Sequence, residues 1–186
     1  MNAPLRHAGW IVPALGLLLS STFVSPAQTA TSAPSARAKR IRVGVYDSRA
    51  IAVAYANSRE FKNAMQPVLA EFDKAKLANN QKEMADIQHR MQIDQRLLNE
   101  QAYSTSSVAS IIATVKPSLP AVAKEADVDL IVSKWELNML AYNVETEDVT
   151  DKLVALFHTT DQGWKWAKEI QQRPPVPIEK YVLQNN

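Results

Sequence analysis

From Ser58 onward apolar side chains recur at four-three-four-three spacing among charged ones, at Phe61, Met65, Val68, Phe72 and Ala75. That spacing predicts one stripe of an amphipathic helix suited to a coiled-coil partner. Pro67 falls inside the stripe and implies either a kink or the first turn of the helix. The phase is lost at Ala78-Asn79-Asn80 and restarts at Met84, Ile87, Met91 and Leu98. Asparagine tolerates the left-handed backbone that a chain reversal needs. Ser58 to Ala78 and Gln81 to Tyr103 are therefore expected to form an antiparallel helical hairpin, each helix about 30 Å long.

On both sides of this hairpin the period changes from helical to alternating. Ile41, Val43 and Val45 alternate with Arg42, Gly44 and Tyr46, the pattern of a half-buried first strand. Asp47 or Ser48 can cap a short apolar helix over Ala50 to Tyr55, with Tyr55 as a packing residue. Ser104 to Ser107 supply a break and a cap for a third helix, whose inner face would carry Val108, Ile112, Val115, Leu119 and Val122. One long return helix is the alternative, because the phase of Met84, Ile87 and Met91 carries through Val108 to Ala126. Polar Gln101 and Thr105 on that seam, with Pro117 and Pro120 at its end, favour the break.

Leu130, Ile131 and Val132 form an apolar run with a β-branched pair, as in a strand covered on both faces, and Leu137 to Val144 offers a second strand. Asp148-Val149-Thr150-Asp151 reads as a helix start, and Val149, Leu153, Leu156 and Phe157 follow at helical spacing. A strand–strand–helix unit of this size cannot cover both faces of its sheet. Another part of the chain, or another copy of it, must do so. The expected class is α+β, a small sheet carrying a projecting helical hairpin.

Near the beginning, Arg6 and His7 precede an apolar run from Gly9 to about Val24, and small residues end it at Ser25-Pro26-Ala27 and Gln28-Thr29-Ala30. Residues 1–30 read as a secretory signal peptide cleaved after Ala27 or Ala30, with an uncleaved anchor as the alternative. The Ser/Ala/Pro-rich stretch over 31–40 reads as a flexible spacer. At the other end, 158–186 reads as an extension. Thr160 or Asp161 would cap a helix on which Trp166 and Ile170 share a face, until the chain reaches Arg173 and runs extended through Pro174-Pro175-Val176-Pro177. That segment is either a ligand for a partner's aromatic groove, or part of a cover in which Trp164, Trp166 and Ile178 shield the same domain.

Composition then removes function classes. The chain of 186 residues is 46% hydrophobic and 22% charged with no cysteine, which excludes disulfides, thiol catalysis, cysteine-ligated metal and lipid attachment at a cysteine. A net charge of +2 exerts no strong pull on nucleic acid or on an anionic membrane, so any membrane association is indirect. Beyond the leader the histidines are His89 and His158, on separate elements, and four glycines leave no phosphate-binding loop. Asp127, Asp129 and Glu136 read as exposed charges flanking a strand. No catalytic, cofactor-binding or metal-ligating residue is expected, and the chain does not read as an enzyme.

The D-V-D-L-I-V strand at Asp127 to Val132, Ala141-Tyr142-Asn143, and the helix start at Asp148-Val149-Thr150 carry a resemblance. With the short first strand and the charged hairpin, residues 41–157 resemble the OmpH/Skp family of periplasmic chaperones. The resemblance implies a homotrimer whose strands form a small barrel, here around Val43, Val45, Leu130, Ile131, Val132 and Tyr142. It further implies helical arms over 58–103, with Phe61, Met65, Phe72, Met84, Ile87 and Met91 along their seam. Such arms would enclose unfolded exported outer-membrane proteins in the periplasm, without ATP or cofactor. The family's arms are strongly basic, whereas Ser58 to Tyr103 carries seven Lys/Arg and seven Asp/Glu. A non-catalytic structural or adaptor protein of the envelope, binding one folded partner, is the alternative.

Overall fold

The fold is arranged about one strand. In the computed structural model, which describes residues 41–136 and 144–185, β1 (Arg42–Tyr46) lies between β2 (Leu130–Ser133) and β3 (Glu145–Asp148) and is parallel to both. The architecture is α+β, as expected, and the sheet is parallel. Parallel neighbours need a long crossover. Between β1 and β2 that crossover contains the whole helical pair, which is thus an insertion into a β–α–β unit.

The two faces of the sheet differ from the simplest reading of the alternation. Gly44 and Tyr46, not Val43 and Val45, face the helical core. A Cβ on Gly44 would lie 3.1 Å from Val128 Cγ2 and 3.3 Å from Ile131 Cγ1 and Val149 Cγ1, so the absence of a side chain lets the sheet approach its cover closely. Register then places Val43 beside Leu130, and Val45 beside Val132, on the opposite face. Leu130 is 39% exposed, so β2 is not covered on both sides by its own chain. β3 has the sequence Glu-Thr-Glu-Asp with all four residues exposed, and no apolar period announces it. Its link to the fold is the ladder with β1. The strand expected over Leu137 to Val144, with Tyr142, lies outside the described residues except for Val144, which precedes β3.

Helix α1 (Ser48–Ala56) starts where Asp47 accepts a hydrogen bond from Arg49 N, and its Ala50, Ile51, Ala52 and Ala54 are buried. Small residues on several faces let other helices pack around it. These are α6 (Thr150–Ala155) and α7 (Asp161–Gln171), together with the base of α3 (Gln81–Tyr103). Asp148 Oδ1 accepts from Thr150 N at the start of α6, as the Asp-Val-Thr pattern suggests. Thr160 caps α7 by accepting from Gly163 N. Ala167 and Ile170 of α7 are buried, and Trp164 packs on the same core. The segment after Phe157 is therefore part of the compact unit and covers it.

α2 (Arg59–Leu77) is capped by Ser58, which accepts from Phe61 N, and continues through Pro67. Pro67 thus does not mark a first turn: the cap at Ser58 fixes the start well before it. At the far end Asn79 takes φ 52°, Asn80 N donates to Ala75 O, and Asn79 N donates to Lys76 O, the paired bonds of a left-handed helix stop. Asn80 then caps α3 reciprocally with Glu83. After Tyr103 the chain breaks at Ser104 and resumes as α4 (Ala109–Thr114), a 3₁₀ turn (Lys116–Ser118) and α5 (Leu119–Glu125), with Pro117 and Pro120 in first turns, where a missing N–H is harmless. Val108, Ile111, Val115 and Val122 are buried, while Ile112 and Leu119 are half-buried. The Pro-rich segment pairs through Val176 with Tyr103 and Thr105 and leads into α8 (Ile178–Asn185), a helix that the sequence reading does not include.

The start of α7 has no room to spare. A Cβ at Gly163 would lie 2.2 Å from Thr159 Oγ1 and 2.7 Å from Asn57 Cβ. Gly163→Ala is expected to push α7 off α1 and cost about 1–3 kcal/mol, read as a drop of several degrees in Tm by circular dichroism.

Candidate functional site

At the carboxyl ends of β1 and β2 a cluster of charges is built on a buried ion pair. Asp47 and Arg49 are both buried, and the guanidinium donates from Nε to Asp47 Oδ1 at 3.0 Å and from Nη2 to Oδ2 at 2.8 Å. Lys134 Nζ lies 2.8 Å from the same Oδ2, and Arg49 Nη1 donates to Arg173 O at 2.8 Å. Trp135 packs against both cations, with Arg49 Cζ 5.3 Å and Lys134 Nζ 4.8 Å from its ring centroid. Asp47 N donates to Thr150 Oγ1, which ties in α6. Burial raises the Asp47 carboxyl, but the hydrogen bonds and charges of Arg49 and Lys134 outweigh it, so the net shift is downward. Burial, then the charge of Glu136, pushes the Tyr46 phenol up to about 12.

None of the described pockets opens on this cluster. Its acid is neutralised by cations and its groups hold five elements together, as a structural lock does. Among the described residues no group of three or more metal-ligating side chains comes together. His89 is exposed on α3, and His158 binds Glu60 through Nδ1 at 2.8 Å. Asp127 pairs with the Arg42 side chain, and Asp129 Oδ2 accepts from Arg42 N, so these acids fasten the start of β1 to the loop before β2.

The helical pair carries exposed apolar surface. Phe61, Met65 and Phe72 on α2, and Met84, Ile87 and Met91 on α3, are all at least half-buried, so the stripe is the inner seam as its spacing requires. Ala75 and Ile87 close that seam toward the turn. Toward the base it stays open: a cleft of ≈ 280 Å³ lies among Phe61, Met65, Val68, Leu97 and Leu98. Several apolar side chains along both helices, Leu97 of this cleft among them, are exposed to solvent. Leu77 is 87% exposed, and Leu69, Ile93 and Leu97 are between 43% and 47% exposed.

The residues expected to meet other copies divide by face. Val43, Val45, Leu130 and Val132 share the sheet face away from the helices, whereas Ile131 packs against the helical core. Tyr142 lies outside the described residues. Sequence reasoning missed the Asp47–Arg49–Lys134–Trp135 cluster. Its one visible signal is a lone arginine in the first turn of an otherwise apolar helix, Ser-Arg-Ala-Ile-Ala-Val-Ala. No protein-family model, characterised protein or solved structure matches this chain. Among the described residues no helix is long and apolar enough to cross a membrane.

Because the Asp47 carboxyl is held below its ordinary value of 3.8, its contribution to stability is fully present above that pH and is lost as pH falls through the lower folded value. Asp47→Asn is expected to cost about 3–5 kcal/mol near neutrality, since Arg49 is left buried without its counter-ion. The variant should also show a shallower loss of stability on acidification. Urea midpoints measured at several pH values for both proteins check the two effects.

Proposed function

We propose that the chain is an ATP-independent holdase of the OmpH/Skp type, exported to the periplasm by residues 1–30, which binds unfolded outer-membrane proteins along α2 and α3. The observation that carries this reading is the unclosed apolar seam: a cleft at the base of the pair, with Leu69, Leu77, Ile93 and Leu97 exposed along both helices. An unfolded chain offers apolar side chains in no fixed arrangement. Scattered half-wet contacts suit it better than one deep pocket, because each can be made or lost alone. In this reading α2 and α3 act as a projecting antiparallel coiled-coil arm. The balance of acids and bases along the arm leaves apolar contact, rather than charge, to select the client.

The same reading makes the chain a homotrimer. Val45, Leu130 and Val132 line up on one sheet face beside Val43, which is already only 3% exposed within the chain, and joining three such faces into a small barrel would bury what is left open, chiefly Leu130 at 39%, without disturbing the helical core. Ile131 belongs to the other face, so its role is in the folding of each chain.

Two measurements test the proposal. Stoichiometric protein is expected to suppress light scattering when an unfolded outer-membrane protein is diluted from urea. Leu69→Ser combined with Leu97→Ser should remove most of that effect without changing the far-ultraviolet spectrum. A folded oligomer that leaves aggregation unchanged would be the envelope adaptor instead.

For assembly, Leu130→Asp should shift the particle mass in multi-angle light scattering from trimer to monomer. Ile131→Ala should leave the mass unchanged and lower stability, toward the lower end of the about 2–5 kcal/mol typical of buried Ile→Ala. Dissociation by Ile131→Ala but not by Leu130→Asp would exclude this barrel face.

A further inference from the structure

We infer that a second cleft, between α1, α3 and α7, is a binding site for a neutral saccharide. This cleft has a volume of ≈ 410 Å³, within the range of small-ligand sites. Its floor is apolar, from Val53, Leu98 and Ile170, and it is lined by two aromatic rings that remain about half exposed, Tyr103 at 53% and Trp166 at 46%. Five planar polar side chains complete the lining: Asn57, Gln95, Asn99, Glu169 and Arg173.

Hydrogen bonding within the protein uses only part of this set. Asn57 Nδ2 donates to Val53 O at 2.8 Å, and Gln95 Nε2 donates to Asn99 Oδ1 at 3.0 Å. That leaves one amide group on each of the three residues, an oxygen on Asn57 and Gln95 and a nitrogen on Asn99. The Glu169 carboxylate and the Arg173 guanidinium are one helical turn apart and make neither an ion pair nor a hydrogen bond with any described residue.

Elimination by chemistry then selects the ligand. A hydrocarbon would strip water from these polar groups and return no bond to them. An anion would meet Glu169, and a cation would meet Arg173. A peptide captured by strand addition needs an open sheet edge, and the walls here are helices. A sugar ring satisfies both halves of the site at once. Its C–H face stacks on an aromatic ring, and its hydroxyls both donate and accept, so adjacent pairs can bridge the forked ends of an amide, a carboxylate or a guanidinium. Gln95 and Asn99 lie on α3, which the holdase reading also uses, but no polar group of this cleft lies on α2, so a substitution on α2 tells the two apart.

The purified protein, titrated calorimetrically with maltotriose, cellotriose and chitotriose, is expected to show saturable binding of at least one of them. Trp166→Ala should weaken that binding about ten-fold while Trp166→Phe retains most of it, as stacking requires. Asn99→Ala and Glu169→Gln should each weaken it several-fold. Leu69→Ser, on α2, should not change it, which separates this site from client holding. Circular dichroism checks that each variant is folded; should Trp166→Ala not fold, the exposed Asn99 and Glu169 variants decide the matter. Absence of saturation with all three sugars, binding that survives these substitutions, or competition by the peptide Gly-Phe-Gly would overturn the assignment.

Discussion

A carboxylate withdrawn from water must be neutralised by groups fixed around it, and Asp47 imposes that requirement on the whole fold. Arg49 meets it from the first turn of α1, Lys134 from the residue after β2, and the backbone of Asp47 is anchored by Thr150 at the start of α6. Arg49 in turn holds the carbonyl of Arg173 where α7 gives way to the Pro-rich segment. Segments more than a hundred residues apart are thus made mutually dependent at one point. Replacing such a cluster with hydrocarbon can leave a fold as stable as before, so its value lies in specifying one arrangement of these elements. With three short strands and several helices of only six or seven residues, many other packings would bury similar apolar area, and the charges admit few of them.

Stability should be unevenly distributed as a result. Around α1 the core is continuous from Tyr46 through Leu153, Phe157 and Ile170. Beyond the base of the helical pair, only Ala75 and Ile87 are fully covered on two helices that together span most of residues 59–103. Few buried contacts and a solvent-exposed backbone define the segments that open first. Opening the pair leaves the lock at Asp47 untouched, because no group of the lock lies on α2 or α3. The helical pair and the lock that specifies the fold are therefore physically separable in this chain.

Periodic features were legible in the sequence and non-periodic ones were not. The reversal at Asn79, the break after Tyr103 and a helix start just after Asp148 each follow from a local rule of spacing or capping, and each is found; the stripe from Phe61 to Met91 is at least half-buried. β3 was invisible because a strand of Glu, Thr and Asp carries no apolar signal; only its backbone pairing with β1 makes it a strand. The sense of β1 was hidden for a related reason. Val43 and Val45 are the more apolar pair, but Gly44 permits the closest approach, and closeness of packing decided which face met the helices. The buried cluster could not be read because Asp47 and Lys134 become neighbours only once the sheet has formed. The cleft bounded by Tyr103 and Trp166 likewise joins residues that share no local pattern.

The composition of β3 has a further consequence. Edge strands invite other strands to pair with them, which is a route to edge-to-edge aggregation. Among the described residues β3 is an outer strand of the sheet, and Glu145, Glu147 and Asp148 set a row of negative charge along it. An incoming strand would have to lose water around those carboxylates to join the ladder. The element with the weakest claim to being a strand thereby acts as an insulator, keeping a stray strand from extending the sheet at that side.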